Sequence, residues 1–324
     1  MHLMKLCWLW WEMTTDAIRL QRWRRGTQVG FFLLFLVAPG LNWLRFDLNE
    51  AQLWFLGYRW TLGIEAFVHG QATASETAWH ILVWGFLPAF LLVGGFLGVA
   101  YRFGRVYCGW LCPHFSAVEM LNGLLHRAIG RFSVWDRSVT PQPGRTPQVR
   151  WWGPFIALSG LLGFVWAVTL LTYLLPPEEI WSGVWHASLT PNQARFIGIG
   201  TLIFTLEFVF ARHLFCRFGC AAGLFQSLAW MANDRAMVVS FSRERARECQ
   251  TCDAPRGSAC DNACPMRLHP RNIKRMMFSC VQCARCLSSC ETSQAQQERS
   301  PSLNWTIGLD AVRETLRQRR EEAR

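Results

Sequence analysis

Apolar residues gather into four long stretches along the chain, each flanked by charge. They cover residues 29–44, 81–101, 154–175 and 196–211. A helix needs about 20 apolar residues to cross the hydrocarbon core of a membrane. The second and third stretches meet that length, while the first and fourth are marginal by length alone. Two shorter stretches, 116–129 and 224–232, follow the second and fourth and are mildly amphipathic. From residue 234 the pattern breaks, and the chain becomes polar and rich in cysteine. The last stretch, 309–324, carries Arg313, Glu314, Arg317, Arg319, Arg320 and Glu321 at helical spacing and predicts a solvated helix. The pattern predicts a mainly α membrane protein: a bundle of about four transmembrane helices plus a small soluble module. The expected divisions are an interfacial segment at 1–26, a transmembrane domain at 27–233, a cysteine-rich domain at 234–300 and a charged tail at 301–324.

Charge gives the orientation. Arg19, Arg22, Arg24 and Arg25 precede the first stretch, Arg102 and Arg105 follow the second, and Arg212 and Arg217 follow the fourth. Arg127, Arg131, Arg137, Arg145 and Arg150 lie between the second and third. The loop 176–193 has Glu178 and Glu179 but no Lys or Arg. The positive-inside rule then puts both termini and the cysteine-rich domain in the cytoplasm. The same distribution explains the net charge of +11 without nucleic acid, because the Arg residues sit beside apolar stretches. Hydrophobic residues make up 51% of the 324 and charged residues only 17%, and 18 Trp suit two membrane–water interfaces. Residues 1–13 are aromatic and apolar but lack a small-residue cleavage site, so they read as interfacial rather than as a signal.

Thirteen cysteines change the picture most, and twelve fall into pairs or quartets while Cys7 stands alone. Cys280, Cys283, Cys286 and Cys290 form Cys-x2-Cys-x2-Cys-x3-Cys, the spacing of bacterial ferredoxins. Three thiolates on a tight loop can cap three irons of one cubane, and the fourth, one helical turn away, reaches another. Upstream, Cys249 and Cys252 open a second run that ends in Cys260, Cys264 and Pro265, with a longer insert at 253–259. Crossed ligation predicts two [4Fe-4S] clusters: one on Cys249, Cys252, Cys260 and Cys290, the other on Cys280, Cys283, Cys286 and Cys264. Zinc at two four-thiolate sites is the competing reading, and disulfides do not suit a reducing cytoplasm.

A weak internal repeat places Cys108 and Cys112, then Cys216 and Cys220, after the second and fourth apolar stretches, each pair spaced Cys-x3-Cys behind an aromatic residue. On one helix such thiols share a face and could hold a metal or act as a redox pair; the plain alternative is inert packing. If the repeats meet, four thiols converge. The histidines (His69, His80 and His186 on the outer side; His114, His126, His213 and His269 on the inner) are not placed mid-membrane, so haem is not expected. No nucleophile triad, Walker loop or dinucleotide fingerprint occurs.

The string Phe103-Gly-Arg-Val-Tyr-Cys108-Gly-Trp-Leu-Cys112-Pro113 resembles the membrane polyferredoxins of the NapH/NosR/CcoG group. Residues 216–220, 234–241 and 53–59 look closest to its CcoG (FixG, RdxA) branch, and the resemblance covers about residues 24–290. It implies two cubane clusters, a cytoplasmic ferredoxin domain and electron transfer at the bacterial inner membrane. For the CcoG branch it implies reduction of copper(II) to copper(I) during assembly of a cytochrome oxidase, with Cys108, Cys112, Cys216 and Cys220 as the carried-over pairs. Three features depart from it: no counterpart of CcoG's C-terminal immunoglobulin-like domain follows the second run, Ala221 stands where the motif has Pro, and the 253–259 insert is longer.

Two functions remain open on these grounds. The first is a one-electron relay, an oxidoreductase component and, in the sense the resemblance implies, a cupric reductase, fed by a donor protein or quinol and serving an acceptor protein, an oxidase or a reductase. The second is a metal-handling or assembly factor whose clusters are structural. A relay needs clusters that cycle, and a scaffold does not.

Overall fold

The apolar runs form helices because a segment in lipid must satisfy its backbone internally. The computed structural model describes residues 17–50, 52–136, 146–252 and 258–322. Its principal elements are α1 (Ala17–Val37), β1 (Leu44–Asp47), β2 (Gln52–Phe55), β3 (Tyr58–Trp60), α2 (Ala74–Phe103), α3 (Val106–Trp110), α4 (Pro113–Ile129), α5 (Val149–Thr172) and α6 (Pro177–Trp185). There follow α7 (Pro191–Ala211), α8 (Ala221–Met231), β4 (Val238–Phe241), α9 (Ala259–Ala263), α10 (Arg285–Ala295), β5 (Leu303–Thr306) and α11 (Leu309–Glu322). Residues 1–13, most of the 141–147 linker and most of the 253–259 insert, all singled out in the sequence, lie outside the described residues.

Among the described residues three helices, α2, α5 and α7, are long and apolar enough to cross a membrane, with 30, 24 and 21 residues. Phe86, Phe90, Leu91 and Leu92 of α2 are exposed, as a lipid-facing surface requires. The first expected span differs from the reading of 29–44: α1 ends at Val37 and the chain enters a strand at Leu44. The charge-free part of α1, from Gly26 onward, is about 18 Å long at 1.5 Å per residue.

The chain divides into two compact units that alternate along the sequence. One comprises residues 33–98 and 157–209. Its β1–β2–β3 sheet is an antiparallel meander with Leu44 opposite Phe55 and Leu53 opposite Trp60. The Phe46 and Leu48 amides donate to the carbonyls of Tyr173 and Leu174. Val168, Leu171, Ile180 and Ile197 form its core. Gly163 lets α5 approach α7, since a Cβ there would lie 2.7 Å from Thr205 Oγ1. Capping boxes at Thr73–Glu76 and Thr190–Gln193 fix the starts of α2 and α7.

The other unit comprises residues up to 32, 99–156 and 210–324. Phe115, Val118, Leu121 and Leu125 of α4, at helical spacing, are fully buried in it. Strand β5 pairs antiparallel with β4, Val238 opposite Thr306 and Phe241 opposite Leu303. This pairing carries the sheet past residue 300, into the stretch read as a tail. The tail does form a helix, α11, but it is not solvated all round: Ala311 is buried and Arg317 donates to the Phe241 carbonyl.

Candidate iron–sulfur centres

The ferredoxin-spaced run folds as a tight loop leading into α10. Gln282 and Ala284 take φ of 52° and 58°, the left-handed region that residues other than glycine enter at a cost, so surrounding contacts must hold the loop coiled. Those contacts are visible: Trp110 Nε1 and Gln21 Nε2 donate to the carbonyls of Gln282 and Cys283, at 3.0 and 3.2 Å. Cys280 and Cys283 sit on the loop, and Cys286 and Cys290 lie one turn apart on α10.

Cys280, Cys283, Cys286 and Cys264 line one cavity, walled by Val239, Met266, Leu268 and Met277. Cys249, Cys260 and Cys290 belong to a separate buried group with Phe241 and Leu303, and Cys286 also touches it. Cys252 Sγ lies 3.1 Å from Ser293 Oγ on α10. Cys249 is within electrostatic reach of Cys290 and Cys252. The donor chemistry fits cubane clusters: soft thiols in fours, in apolar surroundings that keep water away. Burial pushes the Cys280 and Cys260 thiols up to about 12, and Cys264 to about 11. Such thiols ionise only when a cation arrives, so iron uptake here would release protons.

Sequence reasoning missed the ion network behind this loop. Arg24 is 1% exposed and pairs with Glu119 through Nη1 at 2.8 Å and Nη2 at 2.6 Å. Arg285, inside the cysteine run, binds Glu119 Oε1 at 2.9 Å, and Gln28 donates to Oε2 at 3.0 Å. Burial works against the Glu119 carboxylate, but its bond to Arg24 and the charges of Arg24 and Arg285 prevail and hold its pKa down to about 2. Arg24 had read as a topology charge; no sequence signal separates it from exposed Arg22 and Arg25.

The Cys-x3-Cys pairs do not lie on single helices, so the shared-face expectation fails. Each pair straddles a break. Cys108 is in α3 and Cys112 is the N-cap of α4, with Pro113 next. Cys216 is in a π-turn, Phe215–Gly219, and Cys220 is the N-cap of α8. The repeats do meet: Cys108 and Cys216 share one buried cluster, with Cys112 packed against it. Burial raises the Cys112 thiol to about 11, with Cys108 and Cys220 close enough to add to the effect. The cluster also contains Cys264 and Cys283. A Cβ at Gly109 would collide with the Val281 carbonyl oxygen, so the Cys108–Cys112 loop lies directly on the Cys280–Cys283 loop. Among the described residues, no three His, Cys, Asp or Glu side chains converge as ligands of a single ion.

A 4Fe-4S binding domain family matches residues 85–131. The chain is 23% identical over 295 residues to YccM of Escherichia coli (strain K12), whose name assigns it provisionally to electron transport; the match covers 88% of this chain and 76% of YccM. It is 26% identical over 223 residues to RdxA of Cereibacter sphaeroides, covering 64% of this chain and 44% of RdxA. It is 25% identical over 300 residues to the regulatory protein NosR of Pseudomonas aeruginosa, covering 88% of this chain and 34% of NosR. This chain matches the membrane polyferredoxins of the NapH/NosR/CcoG group. The chain spans less than half of RdxA and about a third of NosR. No solved structure matches it.

Proposed function

We propose that this polyferredoxin is a multi-pass protein of the bacterial inner membrane that relays single electrons through two [4Fe-4S] clusters at the cytoplasmic face. Cys249, Cys252, Cys260 and Cys290 hold one cluster, and Cys264, Cys280, Cys283 and Cys286 hold the other. When bound, the clusters supply reversible one-electron chemistry. The observation that carries the reading is the cavity lined by Cys264, Cys280, Cys283 and Cys286. The protein's own part is to hold the loop with Trp110 and Gln21, to keep water out with Val239 and Met277, and to set the local field with Arg24, Glu119 and Arg285.

Four crossings are favoured by parity. Arg24 at the start of α1 and Glu119 beyond α2 pair directly, so they lie on one side of the membrane. If α2 crosses once between them, a further crossing between Arg24 and α2 returns the chain to that side, and the apolar half of α1 is the segment we assign to it. The Arg distribution supports the cytoplasm as that side. Copper(II), taking one electron per ion during assembly of a cytochrome oxidase, is the acceptor that the resemblance of residues 216–220 and 234–241 to the CcoG branch implies.

The test is anaerobic purification in detergent, iron and sulfide analysis, and paramagnetic resonance of the dithionite-reduced protein. At least about eight irons per chain, with cubane signals that appear and vanish reversibly, are expected. Zinc in place of iron would overturn the reading. Clusters locked in one redox state would leave an assembly factor instead of a relay. Copper(II) reduction by the reduced protein tests the acceptor.

A further inference from the structure

The matched 4Fe-4S segment, 85–131, contains Cys108 and Cys112 but neither ferredoxin-type run. Two thiols are too few for a cubane, which takes four. The repeat supplies the other two at the same place, because Cys216 packs into the cluster with Cys108, and Cys220 lies within electrostatic reach of Cys108 and Cys112. We propose that Cys108, Cys112, Cys216 and Cys220 form a third iron–sulfur site, a ligand set for one further [4Fe-4S] cluster, with Arg105 as its buried counter-charge.

Arg105 is the independent observation. It is 1% exposed, and its Nη2 donates to the Cys216 carbonyl at 2.7 Å and reaches Cys108 Sγ at 3.9 Å. Its Nε has no partner, and among the described residues no carboxylate pairs with it. A buried guanidinium without an anion is costly, and neutral thiols supply no charge. Four thiolates around a cubane carry net negative charge and would balance it. The chain makes room for this cation: a Cβ at Gly223, in α8, would collide with the Arg105 guanidinium.

Two further features suit a cluster. Gln226, itself 1% exposed, points Nε2 at Cys108 Sγ at 3.4 Å, an N–H donor to a ligand sulfur. Cys112 and Cys220 cap the N-termini of α4 and α8, where the helix dipole favours a thiolate. Four thiols around one ion would stand about 4 Å apart, whereas a cubane spreads them over four irons, in keeping with the absence of a single-ion convergence among the described residues. The contact of Gly109 with Val281 sets this site beside the cavity of Cys264, Cys280, Cys283 and Cys286. A third centre here would extend the proposed relay, and the inference rests on that reading only for its neighbour.

The test is the iron and sulfide content of the full chain, purified anaerobically and reconstituted with iron and sulfide, together with quantified paramagnetic resonance and Mössbauer spectra. About twelve irons per chain are expected, and Cys112→Ser or Cys220→Ser should each lose about four while the ferredoxin-type signals persist. Arg105→Met should make the third signal harder to reduce, a shift that a purely structural arginine would not give. About eight irons in the unaltered chain would overturn the third site and leave the two-cluster relay standing. About four or fewer would sink both. Copper or zinc recovered at these thiols in place of iron would also overturn it. The count on the unaltered chain decides the matter even if the variants fail to fold.

Discussion

Replacing Glu119 with Gln should weaken the cysteine-rich unit by an amount that can be worked out. Glu119 is the carboxylate to which both Arg24 and Arg285 bond. Its pKa falls from 4.5 to about 2 on folding. A depressed carboxylate adds stability that is fully present above the ordinary pKa and is lost as pH falls through the folded one. At pH 7 it is therefore present in full, and the shift corresponds to about 3 kcal/mol. Removing one partner of a buried pair costs about 3–5 kcal/mol, because the remaining charges are left uncompensated, so the two routes agree. With a urea slope of about 2 kcal/mol per molar, the unfolding midpoint should drop by about 1.5 M. The assay is urea titration of the cluster-loaded protein in detergent, followed by visible absorbance and Trp fluorescence together. Arg24→Met combined with Glu119→Gln should cost less than the sum of the two single changes. A midpoint drop under about 0.3 M, or strict additivity, would refute the network.

Three other outcomes are expected. Gly109→Ala should force the Cys108–Cys112 loop off Val281 at a cost of about 2 kcal/mol, lowering the thermal midpoint by about 4–8 °C; an unchanged melt would mean that the loops do not touch. Cys283→Ser should expose the whole 234–306 region to protease rather than bleach one cluster, since so small a module depends on its clusters to fold, and an unaltered digest would count against that. Burial, assisted by the Arg212 charge, lowers His213 from 6.5 to about 4. The unfolded chain alone takes up that proton as pH falls from about 6.5 to about 4, so stability should decline by about 3 kcal/mol across this window and level off below it. His213→Gln should flatten that decline in denaturation curves taken at several pH values; a slope unchanged by the variant would acquit His213.

Helices α2, α5 and α7 were legible because an apolar run of about 20 residues has few other fates. Helix α1 was less so, since half of it is basic and its apolar part is short. The spacing of the last run made one feature readable: Cys286 and Cys290 lie one turn apart on the same face of α10, displaced by about 6 Å along its axis, so Cys290 can reach beyond the cavity that Cys286 lines. The break inside each Cys-x3-Cys pair was signalled once, by Pro113, and left unsignalled at Ala221. Strand β5 was invisible: four residues with a partner far upstream leave no local trace. The arginines were the hardest. Arg24 and Arg105 match the topology-setting charges in composition, and only their burial reveals that they serve thiols and a carboxylate.

The alternation of the two units along the chain has a bearing on how the protein is made. Gln21 finds its partners, the Cys283 carbonyl and Ser288, 262 and 267 residues later. At about 5–20 residues per second, a ribosome needs about 13–53 s to supply them after Gln21 has left it. The three helices long and apolar enough to cross a membrane, α2, α5 and α7, are all synthesised within that interval, before the cysteine-rich unit can close. The contacts that hold the loop of Cys283 therefore form only after those helices have been made, and the proposed cluster site beside it can be completed no earlier.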